Sequence, residues 1–192
     1  AATVQRATTA LLHQLTVVPD TVVLRRDEKA TTVSTVTGGF HTATTQQDDD
    51  GTRTTSVFIP AGTEAWLKLA DGGTQPTTSL TLRATEATVG TTGPESMPAT
   101  LPPATAYTFA ADVSADEALA AGATGVGFGS AVAMYADNFL HFPVGTAVPA
   151  GIPASSWTVP ASSARIRVTK CSLRAGGILP TLIAASTAAV IR

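Results

Sequence analysis

The chain has 192 residues, enough for one domain or two very small ones. Charged residues are 14% and the net charge at pH 7 is −2, so no basic field would hold a phosphate backbone, which excludes nucleic acid as a partner. With 34 alanines and 33 threonines filling more than a third of the chain, Thr, Gly and Pro interrupt each apolar stretch short of the ~20 residues of a membrane helix, and no coiled-coil repeat survives.

In chain order, Leu15-Thr16-Val17-Val18 runs into Pro19-Asp20, and Thr21-Val22-Val23-Leu24 follows, which predicts two short strands around a turn. No basic n-region followed by an apolar h-region precedes them, so the chain reads as a mature product or as a piece of a longer one. Arg25-Arg26-Asp27-Glu28-Lys29 reads as a solvated charged turn. Thr31 to Thr37 alternates Thr or Ser with Val, the pattern of an edge strand with one wet face. From Gly38 to Arg53 apolar residues thin out, and Gln46-Gln47-Asp48-Asp49-Asp50-Gly51 reads as a polar loop tip.

Val57 to Thr63 and Ala65 to Leu69 predict the next strands, closed by the turn-forming Asp71-Gly72. Ser79 to Thr85 alternates strictly and predicts a strand. Residues 90–105 hold Gly93-Pro94, Met97-Pro98 and Pro102-Pro103, a connection that cannot be a central strand. Tyr107 to Ala110 resumes a strand. Ser114-Ala115-Asp116-Glu117 has the spacing of a capping box and predicts a short helix ended by Gly122. Ala123 to Tyr135 is strand-like, with Gly125, Gly127 and Gly129 weakening it or marking bulges. Further short strands are predicted at Trp157 to Val159 and Arg165 to Val168, and a strand plus a short helix between Ile178 and Ile191.

Candidate chemistry is sparse. Asp48, Asp49 and Asp50 are the one dense carboxylate cluster and the only candidate metal ligands. Hard cations want several oxygens, but these aspartates are consecutive rather than alternate, which suits a solvated turn. His13, His41 and His141 show no metal-pair spacing, and His141 sits in an aromatic turn. Gly127-Phe128-Gly129-Ser130-Ala131 lacks the closing glycine of a nucleophile elbow. Gly125-Val126-Gly127-Phe128-Gly129 is neither a P-loop nor a dinucleotide fingerprint. The lone Cys171 excludes an internal disulfide and reads as a small residue in a strand.

The order of short motifs from Val57 onward carries a resemblance. It runs through Phe58-Ile59-Pro60-Ala61-Gly62-Thr63, Leu69-Ala70-Asp71-Gly72-Gly73-Thr74-Gln75-Pro76, Leu82-Arg83-Ala84-Thr85-Glu86-Ala87-Thr88 and Gly93-Pro94-Glu95-Ser96-Met97-Pro98. It continues with Tyr107-Thr108-Phe109-Ala110, Ser114-Ala115-Asp116-Glu117-Ala118, Asp137-Asn138-Phe139-Leu140 and Phe142-Pro143-Val144-Gly145. Over residues 57–160 the chain resembles the β-rich segment that precedes the YD/RHS repeats of large bacterial surface and toxin-delivery proteins. The resemblance implies a non-catalytic β module of a secreted multi-domain chain and supplies no catalytic residues.

The expected fold is all-β: sandwich-like antiparallel sheets with one short helix near 115–121. A Thr/Val-rich β region (1–90), a Pro/Gly-rich connection (91–105) and a second β region (106–192) form separate parts or one continuous domain. The expected function is a non-catalytic structural or adhesive module of an extracellular bacterial assembly, with a self-associating filament or sheath subunit as its nearest variant. No cofactor is expected. The expected partners are other protein chains, in a homo-oligomer or a larger cell-surface assembly. The alternative is a glycan- or calcium-binding β module of a secreted protein, using Trp66 or Trp157 for stacking and Asp48 to Asp50 for a cation. A hydrolase would need Ser130 or Cys171 beside a histidine.

Overall fold

A computed structural model describes residues 12–13, 15–17, 20, 22–91, 93–96 and 109–144, and the backbone of strands at 147–150, 164–169 and 182–187. The elements are β1 (Thr31–Ser34), β2 (Gly39–Thr42), β3 (Gln46–Asp48), β4 (Gly51–Arg53), β5 (Thr55–Ile59), β6 (Ala65–Lys68), β7 (Thr74–Thr77) and β8 (Ser79–Glu86). After a helical turn α1 (Gly93–Ser96) come β9 (Ala111–Ala115), the short helix α2 (Asp116–Ala120), β10 (Gly125–Phe128), β11 (Val132–Asp137), β12 (Ala147–Ala150), β13 (Ala164–Thr169) and β14 (Leu182–Thr187). The fold is all-β. Its sheets run β1-β8-β9, β10-β6-β7, β12-β13-β14-β11-β5-β2 and the hairpin β3-β4, with every pairing antiparallel.

Period-two patterning explains the packing. Leu80, Leu82 and Ala84 of β8 point inward while Ser79, Thr81 and Arg83 stay partly wet. Val57 and Ile59 of β5, Ala65 and Leu67 of β6, Val126 of β10 and Val132 of β11 meet them, so three sheets share one core. Strands before and after residues 91–105 pair with one another, β5 with β11, β6 with β10 and β8 with β9.

Two glycines are required by contact. Gly38 adopts φ +71° in the turn after β1, and a side chain there would meet the backbone of Ala61 at 2.6 Å. Gly127 lies directly across from Trp66. The indole packs over it so closely that a Cβ would lie 2.4 Å from the ring. The alternate glycines around Val126 therefore clear the outer face of β10 for an aromatic ring; neither Gly125 nor Gly127 interrupts the strand.

Other expectations need correction. Leu15–Val17 and Val22–Leu24 form no strand; the Val22 N–H donates to the Glu95 carbonyl at 3.2 Å, and Val18 and Thr21 lie outside the described residues. The apolar-poor stretch 38–53 contains β2, β3 and β4, and the polar loop tip expected at 46–51 is mostly strand, with its turn at Asp49-Asp50. The helix near 115–121 is present, but Ser114 does not cap it. Ala115 is the N-cap, with no side-chain hydrogen bond, and the Ser114 hydroxyl is buried in β9 without a partner. The strand expected at Tyr107–Ala110 begins instead at Ala111, with Tyr107 and Thr108 outside the described residues. Arg165–Val168 falls within β13 and part of the apolar tail forms β14. Trp157–Val159 and the expected terminal helix lie outside the described residues.

Candidate functional site

Asp48, Asp49 and Asp50 sit at the tip of the β3–β4 hairpin, where Asp48 pairs with Gly51 and Asp49-Asp50 form the two-residue connection. They do not converge on a common point. Asp49 and Asp50 are exposed, whereas the Asp48 side chain turns inward and is 13% exposed. Its carboxylate forks onto Arg53, with Oδ2 accepting from one terminal nitrogen at 2.7 Å and Oδ1 from the other. The Gly90 N–H donates to Oδ2 at 3.1 Å and the Asp50 N–H to Oδ1 at 3.0 Å. The Arg53 guanidinium and these amides hold the Asp48 carboxyl well below the usual carboxylate range. Among the described residues, no group of three His, Cys, Asp or Glu is placed to hold a metal ion.

The centre of this cluster is Arg53, which composition alone gives no reason to bury. Its side chain is 1% exposed. A guanidinium carries five N–H donors, and the structure gives Arg53 five hydrogen bonds. Nε donates to Glu86 at 2.6 Å; the terminal nitrogens reach both Asp48 oxygens, the Gly51 carbonyl at 3.2 Å and the Thr88 carbonyl at 3.4 Å. Glu86, its side chain 3% exposed, also accepts the Thr88 hydroxyl at 2.7 Å. The Phe139 ring lies under the guanidinium, 4.4 Å from its central carbon. This set pins the hairpin to β8 and to the turn after β11.

Beside it runs an open groove of about 320 Å³ lined by Arg25, Asp27, Glu28, Thr44, Gln46 and Glu86, among others. Two of its carboxylates are committed to the fold. Glu86 is held by Arg53, and Asp27 accepts the N–H and hydroxyl of Thr44 at 2.6 and 2.7 Å and the Lys29 N–H at 3.0 Å. Burial opposes ionisation of Asp27, but these donors win and its carboxyl titrates below the ordinary range. The charged run 25–29 is thus a strap fixed by side chains, since Arg83 also donates to the carbonyls of Asp27 and Glu28 at 2.9 and 2.8 Å.

The remaining candidates are dispersed. Ser130 shares a 3.1 Å hydrogen bond with the Thr63 hydroxyl. His41 is fully buried and bonded to Thr31, while His13 and His141 are exposed at positive φ. Trp66 lies partly exposed on the outer face of β6. Trp157 and Cys171 lie outside the described residues. Sequence reasoning missed the apolar residues left open to solvent. Leu12, Leu15 and Val17 are 86%, 93% and 82% exposed. Phe40, at 48%, stacks on its cross-strand partner Phe58 with ring centroids 4.5 Å apart. Among the described residues, no helix is long and apolar enough to cross a membrane.

No protein-family model matches the chain, no curated protein matches it, and no solved structure matches it.

Proposed function

We propose that the chain is a non-catalytic structural or adhesive module of an extracellular bacterial assembly and works by contacting other protein chains, further copies of itself included. The observation that carries this reading is the open apolar surface. Leu12, Leu15, Val17 and Val23 are exposed ahead of β1, and Phe40 of the edge strand β2, half exposed, stacks on Phe58 of the neighbouring β5. Large apolar side chains exposed in such groups mark contact surfaces, and an unpaired strand rim is a template for another chain. A filament or sheath subunit is the self-associating form of this proposal. The absence of catalysis is supported by how the candidate groups are used: Ser130 is paired with Thr63 and the His41 imidazole is sealed in the core.

The test is sedimentation velocity from low micromolar to near-millimolar concentration, on the wild type and on a Leu15→Ser, Phe40→Ser variant. The expected result is concentration-dependent assembly by the wild type that the variant loses. A wild type that stays monomeric throughout, and that retains no partner from bacterial surface extracts, overturns the reading.

A glycan-binding module is the second reading, favoured by the Trp66 indole laid over Gly127 on an outer sheet face. Flat aromatic rings of this kind stack on sugar rings. Oligosaccharide titrations that quench tryptophan fluorescence in the wild type, and not in Trp66→Ala, would support it. Its calcium form has less support, because Asp48 is engaged by Arg53.

A further inference from the structure

Three successive side-chain links join the strap and the first residue of β1 to β2 and the two residues that follow it. The Asp27 carboxylate holds Thr44, the Lys29 ammonium donates to the Ala43 carbonyl at 3.3 Å, and the Thr31 hydroxyl meets His41 Nδ1 at 3.1 Å. Thr31 belongs to the three-stranded sheet and His41 to the six-stranded one. The links therefore close the seam between two sheets without a backbone ladder.

His41 is the innermost link and the vulnerable one. It is 0% exposed, and its Nε2 has no hydrogen-bond partner. From β5 the residue in register with it is Val57, and Met134 of β11 continues the row. The charged groups around it are Asp27 and Lys29 of the strap and Arg83 of β8. Asp27 favours an imidazolium, while Lys29 and Arg83 oppose it. Asp27 is already engaged by Thr44 and the Lys29 N–H. In the protonated ring, a cation with an unmatched Nε2–H would stand against apolar side chains.

We propose that His41 makes the β1–β2 seam an acid-operated clasp, neutral and closed near pH 7 and opened by protonation, which releases β2 from the sandwich ahead of the remaining sheets. The direction of the imidazole's titration agrees, since burial holds its pKa below the ordinary 6.5. The sign follows: below 6.5 the unfolded chain takes up a proton that the closed seam refuses. Stability is complete above that value and falls as pH drops toward the folded pKa.

The test is NMR on the full chain between about pH 7.5 and about pH 5, where an unperturbed imidazole would titrate. It follows the His41 ring and the protection of the Ala43 amide, which donates to Thr55, against amides of β8. The expected result has three parts: His41 stays neutral below the ordinary value, Ala43 loses protection at least tenfold before β8 does, and the midpoint temperature drops by several degrees. His41→Gln, whose amide can still reach Thr31, should remove most of that drop. Should that variant fail to fold, the wild-type ring titration and exchange order decide alone. Protonation at or above the ordinary value, or β8 and Ala43 losing protection together, overturns the proposal. So does a folded Gln variant with the same pH dependence as the wild type.

Discussion

The carboxylate of Glu117, at the start of α2, accepts the backbone N–H of Thr81 at 2.7 Å and the Thr81 hydroxyl at 2.8 Å. β9 ends at Ala115, opposite Leu82, so Thr81 is the first β8 residue beyond the reach of its neighbour strand. A side chain from the next element thus supplies the acceptor that a longer β9 would have supplied. The same carboxylate also complements the positive end of the helix.

Glu117→Ala should therefore destabilise the protein through the sheet more than through the helix. Two hydrogen bonds to a charged acceptor are lost, one from a backbone donor, at a cost of about 1.5–3 kcal/mol. Urea denaturation should show the loss, with Glu117→Gln recovering part of it.

Arg53→Met should be among the most damaging single changes in the chain. It leaves Asp48 and Glu86 close together and shielded from water, with no cation between them. Breaking a buried ion pair from one side costs about 3–5 kcal/mol. Adding Glu86→Gln to Arg53→Met should restore part of the stability, because it removes an uncompensated charge. Arg53→Lys should not rescue, since an ammonium cannot fork onto Asp48 and reach Glu86 as well. Chemical denaturation of the four proteins checks the series.

Acid sensitivity below about pH 4 should have a different origin from the seam at His41. Arg53 holds the Asp48 carboxyl below its ordinary 3.8, and Arg83, helped by Arg26, does the same for Asp116. Both folded values lie beneath the unfolded one, so the stability they supply is intact above 3.8 and is lost as pH falls through the folded values. Asp137 runs the other way, its carboxyl raised by burial. Thermal unfolding of Asp116→Asn should show lower stability at neutral pH and a flatter acid limb than the wild type.

Gly127→Ala should displace Trp66, since the added methyl would fall 2.4 Å from the ring. Overpacking of this kind costs about 1–3 kcal/mol. The near-ultraviolet circular dichroism of the indole should change along with the melting temperature. Gly62→Ala, at a position with open space and φ +75°, should destabilise through the backbone and leave that signal intact.

The strands that sequence revealed are those whose inward residues are apolar, such as β8 with Leu80, Leu82 and Ala84. β2 and β4 stayed hidden because the residues they bury are His41 and Arg53, polar side chains that ordinarily face water. Arg53 is legible only once Asp48 and Glu86 are seen beside it, and they are 5 and 33 residues away. The Ser114–Glu117 spacing suggested a capping box, but a local motif yields when strand pairing claims one of its members. The exposure of Leu12, Leu15 and Val17 was equally invisible, since Leu15-Thr16-Val17 alternates like a strand that buries one face.

The pairing of β5 with β11 brings residues 55–58 against 133–136, and this separation governs how the chain must form. The β3–β4 and β6–β7 hairpins can close early from nearby residues. The central sheet has to wait for a segment made some 75 residues later, and topologies of this kind fold over about milliseconds to seconds. Throughout that interval Val57-Phe58-Ile59 is an uncovered apolar strand. Recovery from denaturant should therefore fall as chain concentration rises, because a second molecule competes with β11 for the same strand.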